Sequence, residues 1–88
     1  MLKTKILQLA TELVDGDRDR VYGDPRSNHE RIAAIWSVLL DTPVNAQQVA
    51  MCMAAVKMSR LVQTPNHLDS YVDAAAYMAI AGELATNE

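Results

Sequence analysis

Phenylalanine is absent from this chain, tryptophan occurs once (Trp36), and tyrosine is confined to Tyr22, Tyr71 and Tyr77. The core must therefore be built from aliphatic, methionine and alanine side chains, which bury less area than aromatic rings. Cysteine is almost missing as well. Cys52 alone cannot pair within the chain, which excludes a disulfide framework and fits a reduced, cytoplasmic setting. Placed inside an apolar run, Cys52 reads as a small buried hydrophobe. No apolar run approaches the roughly 18 residues of a membrane span. The N-terminal stretch is interrupted by Gln8 and Glu12, so it reads as an amphipathic helix and not as a signal peptide. Basic residues are outnumbered, 8 Lys and Arg against 11 Asp and Glu. The resulting net charge of −3 argues against a nucleic-acid partner. Walker loop, nucleophile elbow, dinucleotide-binding glycine fingerprint and zinc-ligand spacing are all missing.

What is present is a chain of 88 residues, half of them hydrophobic. That length allows one domain. A chain so short buries only about 60–65% of its unfolded surface, which leaves a lone monomer marginal. The alanines Ala54, Ala55, Ala74, Ala75, Ala76, Ala79 and Ala81 let helices approach closely but contribute little area each. A homo-oligomer is expected to supply the rest of the core.

The apolar periodicity is helical throughout. Leu2, Ile6, Leu9, Ala10, Leu13 and Val14 predict a first helix from about Leu2 to Asp15. Gly16, the sign-alternating run to Arg20, and Tyr22-Gly23-Asp24-Pro25 then interrupt it. Ser27 with Glu30 forms a capping box and predicts a second helix from there to about Leu40, stopped by Asp41-Thr42-Pro43. Asn45 with Gln48 repeats that signature before a third helix, Ala46 to Val62, which is apolar nearly all round and so expected to be buried on most sides. A fourth helix is predicted from Leu68 to Ala85. No alternating pattern suggests a strand.

Several side-chain groups are candidates for chemistry. The third and fourth helices flank the breaker Gln63-Thr64-Pro65-Asn66-His67. If they fold back on each other, residues whose numbers sum to about 129–130 lie level, so Arg60 faces Asp69 and Lys57 faces Asp73. The bases are spaced i,i+3 and the acids i,i+4, so each pair shares a helix face. Bases inside an apolar helix are costly unless compensated. The seam is thus either a structural ion-pair ladder or a site where carboxylates hold a divalent metal and bases hold phosphate. A second group is the glycine-containing turn Tyr22-Gly23-Asp24-Pro25 with Ser27, Asn28, His29 and Glu30. A turn feeding a helix N-terminus offers N–H donors to an anion, or is simply a capped junction. Tyr22 would stack on a base or pack over the loop, and His29 reads as a surface residue. A third group, Glu12, Asp15 and Asp19, shares a face if the first helix continues past Gly16; a solvated face is the plainer reading.

Three segments together carry a resemblance: Val21-Tyr22-Gly23-Asp24-Pro25 leading into Asn28-His29-Glu30-Arg31-Ile32-Ala33-Ala34-Ile35-Trp36; Val56-Lys57-Met58-Ser59-Arg60-Leu61; and Asp69-Ser70-Tyr71-Val72-Asp73-Ala74-Ala75-Ala76-Tyr77. They resemble a family of small phage and prophage proteins of uncharacterised function. That family is in turn similar to a shortened, divergent form of the MazG-like all-α nucleotide pyrophosphohydrolases. The resemblance covers about Arg20 to Leu84. It implies an all-α, compact four-helix, MazG-like domain that is oligomeric. It also implies Mg²⁺ at Asp69 and Asp73 and phosphates at Lys57 and Arg60; the glycine turn and helix start add the expectation that a nucleoside phosphate reaches Tyr22 and Asn28. The paired-glutamate helix of the MazG-like enzymes has no counterpart: the second helix offers Glu30 alone and the third offers no acid. The expected function is nucleotide binding, extending to Mg²⁺-dependent pyrophosphohydrolysis. The alternative is a non-catalytic phage accessory module, a helical oligomer that binds a host protein or sequesters a nucleotide signal. The host-cell cytoplasm is the expected location.

Overall fold

The computed structural model describes residues 1–15 and 24–86. Within them the chain forms α1 (Lys3–Val14), α2 (Pro25–Leu40), α3 (Ala46–Gln63) and α4 (Leu68–Thr86), with no strand among the described residues. Asp19, Tyr22 and Gly23 lie outside the described residues, which resume at Asp24.

The helix ends follow local chemistry. α1 begins without a side-chain cap and with no acid in its first turn, so Lys3 and Lys5 meet the positive end of its dipole unopposed. α2 starts two residues before the expected Ser27. Asp24 is the N-cap, its carboxylate accepting from the Arg26 N–H at 3.3 Å, and Pro25 follows at the first helical position. Proline suits that position because its φ is already helical and its missing N–H would have had no partner. The Ser27/Glu30 signature therefore falls inside the helix, with Ser27 in its first turn and Glu30 beyond it. At the other end, Asp41 adopts φ 52°, and the N–H groups of Asp41 and Thr42 donate to the carbonyls of Val38 and Ser37. This is a Schellman closure with an aspartate where glycine is usual. α3 opens as expected, on the reciprocal Asn45/Gln48 capping box.

The α3/α4 hairpin is the centre of the molecule. α1 packs on α4, and α2 packs on α3. The helices thus pack in the order α2–α3–α4–α1, with His29 of α2 also meeting Tyr77 of α4. The radius of gyration is 13.6 Å, against about 12 Å for a compact domain of this length. α1 and α4 bury Ala10, Val72 and Ala76 together, with Ile6, Leu9, Leu13, Val14 and Ala75 packed around them. On the other side of the hairpin Val49, Ala50 and Ala54 of α3 and Ala33 of α2 are buried. Ser37 ties α2 to the following loop. Its hydroxyl donates to the Ala33 and Val44 carbonyls and accepts from the Val44 N–H at 2.9 Å.

The expectation that α3 is covered on most sides does not hold within one chain. Met51, Val56, Met58 and Val62 are exposed, and so is Cys52, which was expected to be buried. α2 and α4 together cover one face of α3, and Cys52 lies outside it. No described helix is long and apolar enough to cross a membrane.

Candidate functional site

The antiparallel α3/α4 hairpin brings Lys57 to Asp73. Nζ lies 3.2 Å from Oδ2, and the side chains are 17% and 33% exposed. The charge in the apolar stretch of α3 is thereby compensated, and the carboxylate edge of the pair still meets solvent. The second expected pair does not form: no ion pair joins Arg60 and Asp69, and both side chains are exposed. Each is accounted for by its own helix. Arg60 occupies the last turn of α3 and Asp69 the first turn of α4, where a cation and an anion respectively complement the helix dipole. An exposed pair would add little beyond that.

The loop between the helices is closed by backbone and side-chain bonds. The Tyr71 hydroxyl donates to the Pro65 carbonyl at 2.8 Å, and His67 Nδ1 meets the hydroxyl of buried Ser70 at 2.7 Å. Tyr71 and His67 hold the hairpin turn, so the register that places Lys57 beside Asp73 is fixed at its end.

His29 is the residue that sequence reasoning misplaced. Its position near a helix start suggests a surface residue, yet it is 4% exposed. Its Nδ1 lies 2.7 Å from the Pro25 carbonyl oxygen. That oxygen only accepts, so Nδ1 carries the proton, and in the neutral ring Nε2 presents a lone pair. Nε2 is buried without a hydrogen-bond partner. The ring stands edge-on to Tyr77 of α4, with centroids 6.3 Å apart and an interplanar angle of 66°. Tyr77 follows Asp73 by one helical turn. The Lys57–Asp73 pair and the His29–Tyr77 contact thus occupy neighbouring turns of α4, and α2, α3 and α4 all contribute. Asn28, half-buried, precedes His29 at the start of α2. The signal available in the sequence was the spacing of His29 with Ala33 and Trp36 on one face of the helix.

Among the described residues, no three His, Cys, Asp or Glu side chains come together as a metal-binding group. Glu12 and Asp15 are both exposed, and their expected partner Asp19 lies outside the described residues.

An open cleft of about 600 Å³ lies elsewhere, lined by Arg26, Glu30 and Ala33 of α2, Asn45 and Gln47 at the start of α3, and Leu84 near the end of α4, among others. Ten residues of α3 separate Gln47 from Lys57, about 15 Å along the axis. The cleft is a poor anion site. Arg26 is offset by Glu30, the α3 N-terminus is already engaged in its own capping box, and the end of α4 presents the negative end of a helix dipole. The Lys57–Asp73 region, with its compensated internal cation and orphaned histidine nitrogen, is the better candidate.

Comparison with known proteins places this geometry in a family context. Residues 5–85 match the family described as Domain of unknown function (DUF6378). The chain is 36% identical over 76 residues to the Gene 55 protein of Mycobacterium phage L5, an alignment covering 85% of this chain and 49% of that protein. It is likewise 36% identical over 76 residues to the Gene 55 protein of Mycobacterium phage D29, covering 86% of this chain and 50% of that protein. The chain therefore spans about half the length of these curated relatives. No solved structure matches it.

Proposed function

We propose that this chain, which belongs to the DUF6378 family, binds a nucleoside phosphate at the α3/α4 seam. The observation that carries this reading is the Lys57–Asp73 pair, half-buried at 3.2 Å in the middle of an otherwise apolar hairpin. An internal ion pair is weak support for stability, because desolvation offsets the attraction. A binding role gives a reason for it to be there.

In this reading Lys57 and Arg60, one turn apart on α3, meet the phosphates. Anion binding competes with Asp73 for Lys57, and the freed carboxylate faces solvent. A donor on the base or sugar satisfies His29 Nε2 once the Tyr77 edge moves aside, with Asn28 beside it at the α2 start. Tyr22 belongs to the same proposal as a stacking face. Two carboxylates, one already held by a lysine, do not make a resident metal site. Asp69 and Asp73 instead suit a Mg²⁺ that arrives with its phosphates, as that ion is commonly bound by one or two carboxylates together with the substrate. The MazG-like resemblance points to the same ligand class, and the missing paired-glutamate helix favours binding over turnover.

A thermal-shift screen of nucleoside mono- and triphosphates, with and without Mg²⁺, tests this. A ligand that binds the folded state raises the midpoint by mass action, by about 2.7 kcal/mol of stabilisation at one hundred times Kd. The expected result is a selective rise that Lys57→Ala abolishes. No rise with any nucleotide, or a rise indifferent to Lys57→Ala, would leave the pair a structural element. Pyrophosphate release lost in Asp73→Asn would extend the proposal to catalysis.

A further inference from the structure

We infer that the α3/α4 seam selects its ligand by alternating charge: it takes a di- or triphosphate that carries its own divalent cation, and it discriminates against the bare polyphosphate and against a monophosphate. The inference rests on the reading of the seam as a phosphate site and names the form of ligand that the site admits. Lys57 and Arg60 stand one turn apart on α3, and Asp69 and Asp73 stand one turn apart on the facing α4. These four charges sum to zero, within a chain of net charge −3. Such a surface exerts no long-range pull on a polyanion. Arg60 and Asp69, exposed and not joined to each other, extend the two rows without adding a second pair to be broken.

The Lys57–Asp73 contact sets the condition at short range. Nζ and Oδ2 are 3.2 Å apart, and both side chains are partly withdrawn from water. An anion that engages Lys57 alone leaves Asp73 a partly desolvated carboxylate with no cation. A cation that engages Asp73 alone leaves Lys57 in the same position. Either ligand by itself therefore meets the cost of separating the pair. A ligand that presents anion and cation side by side replaces both partners in one step. Among the described residues no three His, Cys, Asp or Glu side chains form a metal-binding group, so the cation is the ligand's own. Adjacent phosphoryl groups chelate Mg²⁺ and leave it free to take one or two protein carboxylates as well. A lone phosphoryl group has no neighbour with which to chelate. By linkage the pair makes anion and cation binding mutually reinforcing, by about 5-fold or more.

Calorimetry with ATP and AMP as probes, each in EDTA and in excess Mg²⁺, tests this. For the wild-type chain Mg²⁺ should tighten ATP binding about 5-fold or more and leave AMP unchanged. Asp73→Asn releases Lys57 from its partner. ATP in EDTA should then bind about 5-fold more tightly than to the wild type, and most of the gain from Mg²⁺ should vanish. Glu83→Gln removes the same charge from an exposed position on α4, about 15 Å further along the helix axis, and should leave all four affinities unchanged. Equal wild-type affinities for ATP in EDTA and in Mg²⁺ overturn the inference, whether or not Asp73→Asn folds. An Asp73→Asn protein that binds ATP in EDTA no better than the wild type overturns it too, as does a gain that Glu83→Gln reproduces. ATP still binds in each of those results, so the phosphate reading outlives the inference. No heat with either nucleotide in any condition overturns that reading and the inference with it.

Discussion

Removing one partner of the Lys57–Asp73 pair should produce unequal losses, and the inequality follows from the burial of each group. Breaking a fully buried ion pair costs about 3–5 kcal/mol, because an uncompensated charge is left behind. An exposed pair is worth about 0.2–1 kcal/mol. At 17% and 33% exposed, this pair lies between those limits. Asp73→Ala strands the more buried partner. Lys57 relieves part of the penalty by extending its flexible stem toward water, so the expected cost is about 1–2 kcal/mol. Lys57→Met keeps the apolar stem and leaves behind the carboxylate that is better hydrated, so its cost should stay below about 1 kcal/mol. In a double-mutant cycle the coupling should be about 1 kcal/mol. Urea unfolding followed by circular dichroism reads these values. With a slope of about 1 kcal/mol/M, Asp73→Ala should lower the midpoint by about 1–2 M. All variants are compared at one protein concentration, so that any self-association contributes equally to each. Equal costs for the two single variants, or a cost under about 0.5 kcal/mol for Asp73→Ala, would refute the reasoning and describe a solvated surface pair.

Two further changes probe the frame that positions the seam. Ser37→Ala removes the hydroxyl that bridges Ala33 and Val44 and leaves the Val44 N–H unpaired, for an expected loss of about 1–2 kcal/mol by the same urea assay. Asp41 sits at φ 52°, a left-handed conformation that is costly for a residue with a Cβ. Asp41→Gly should therefore raise stability by about 0.5–1 kcal/mol despite the extra freedom of the unfolded chain, and a loss would mean that the aspartate side chain stabilises the turn.

Legibility differed from place to place for physical reasons. The α3 start was readable because Asn45 and Gln48 act on backbone groups within one turn. The same signature at Ser27 and Glu30 misled, because Asp24-Pro25 upstream supplies a cap and a preformed first helical residue. Lys57–Asp73 could be read from distance to the breaker, since the loop fixes the register of the hairpin. Arg60–Asp69 could not, because each charge is satisfied by its own helix end. His29 was misjudged by its position near a helix start, whereas its burial is set by Tyr77, nearly fifty residues away in the sequence. For α3 the composition indicated an apolar helix without indicating which side its own chain covers. That choice belongs to the packing order α2–α3–α4–α1, in which α3 keeps one face uncovered.

Binding of a nucleoside phosphate at the seam is tested by place as well as by occurrence with an amide ¹H–¹⁵N spectrum titrated with Mg²⁺ and a nucleoside triphosphate. Saturable shifts centred on Asn28, His29, Lys57, Arg60, Asp69 and Asp73 are expected, with the His29 Nε2 resonance moving in a long-range ¹H–¹⁵N spectrum and the Lys57→Ala protein unresponsive. Shifts centred on the Arg26–Gln47 cleft, or an unchanged spectrum at millimolar nucleotide, would contradict it.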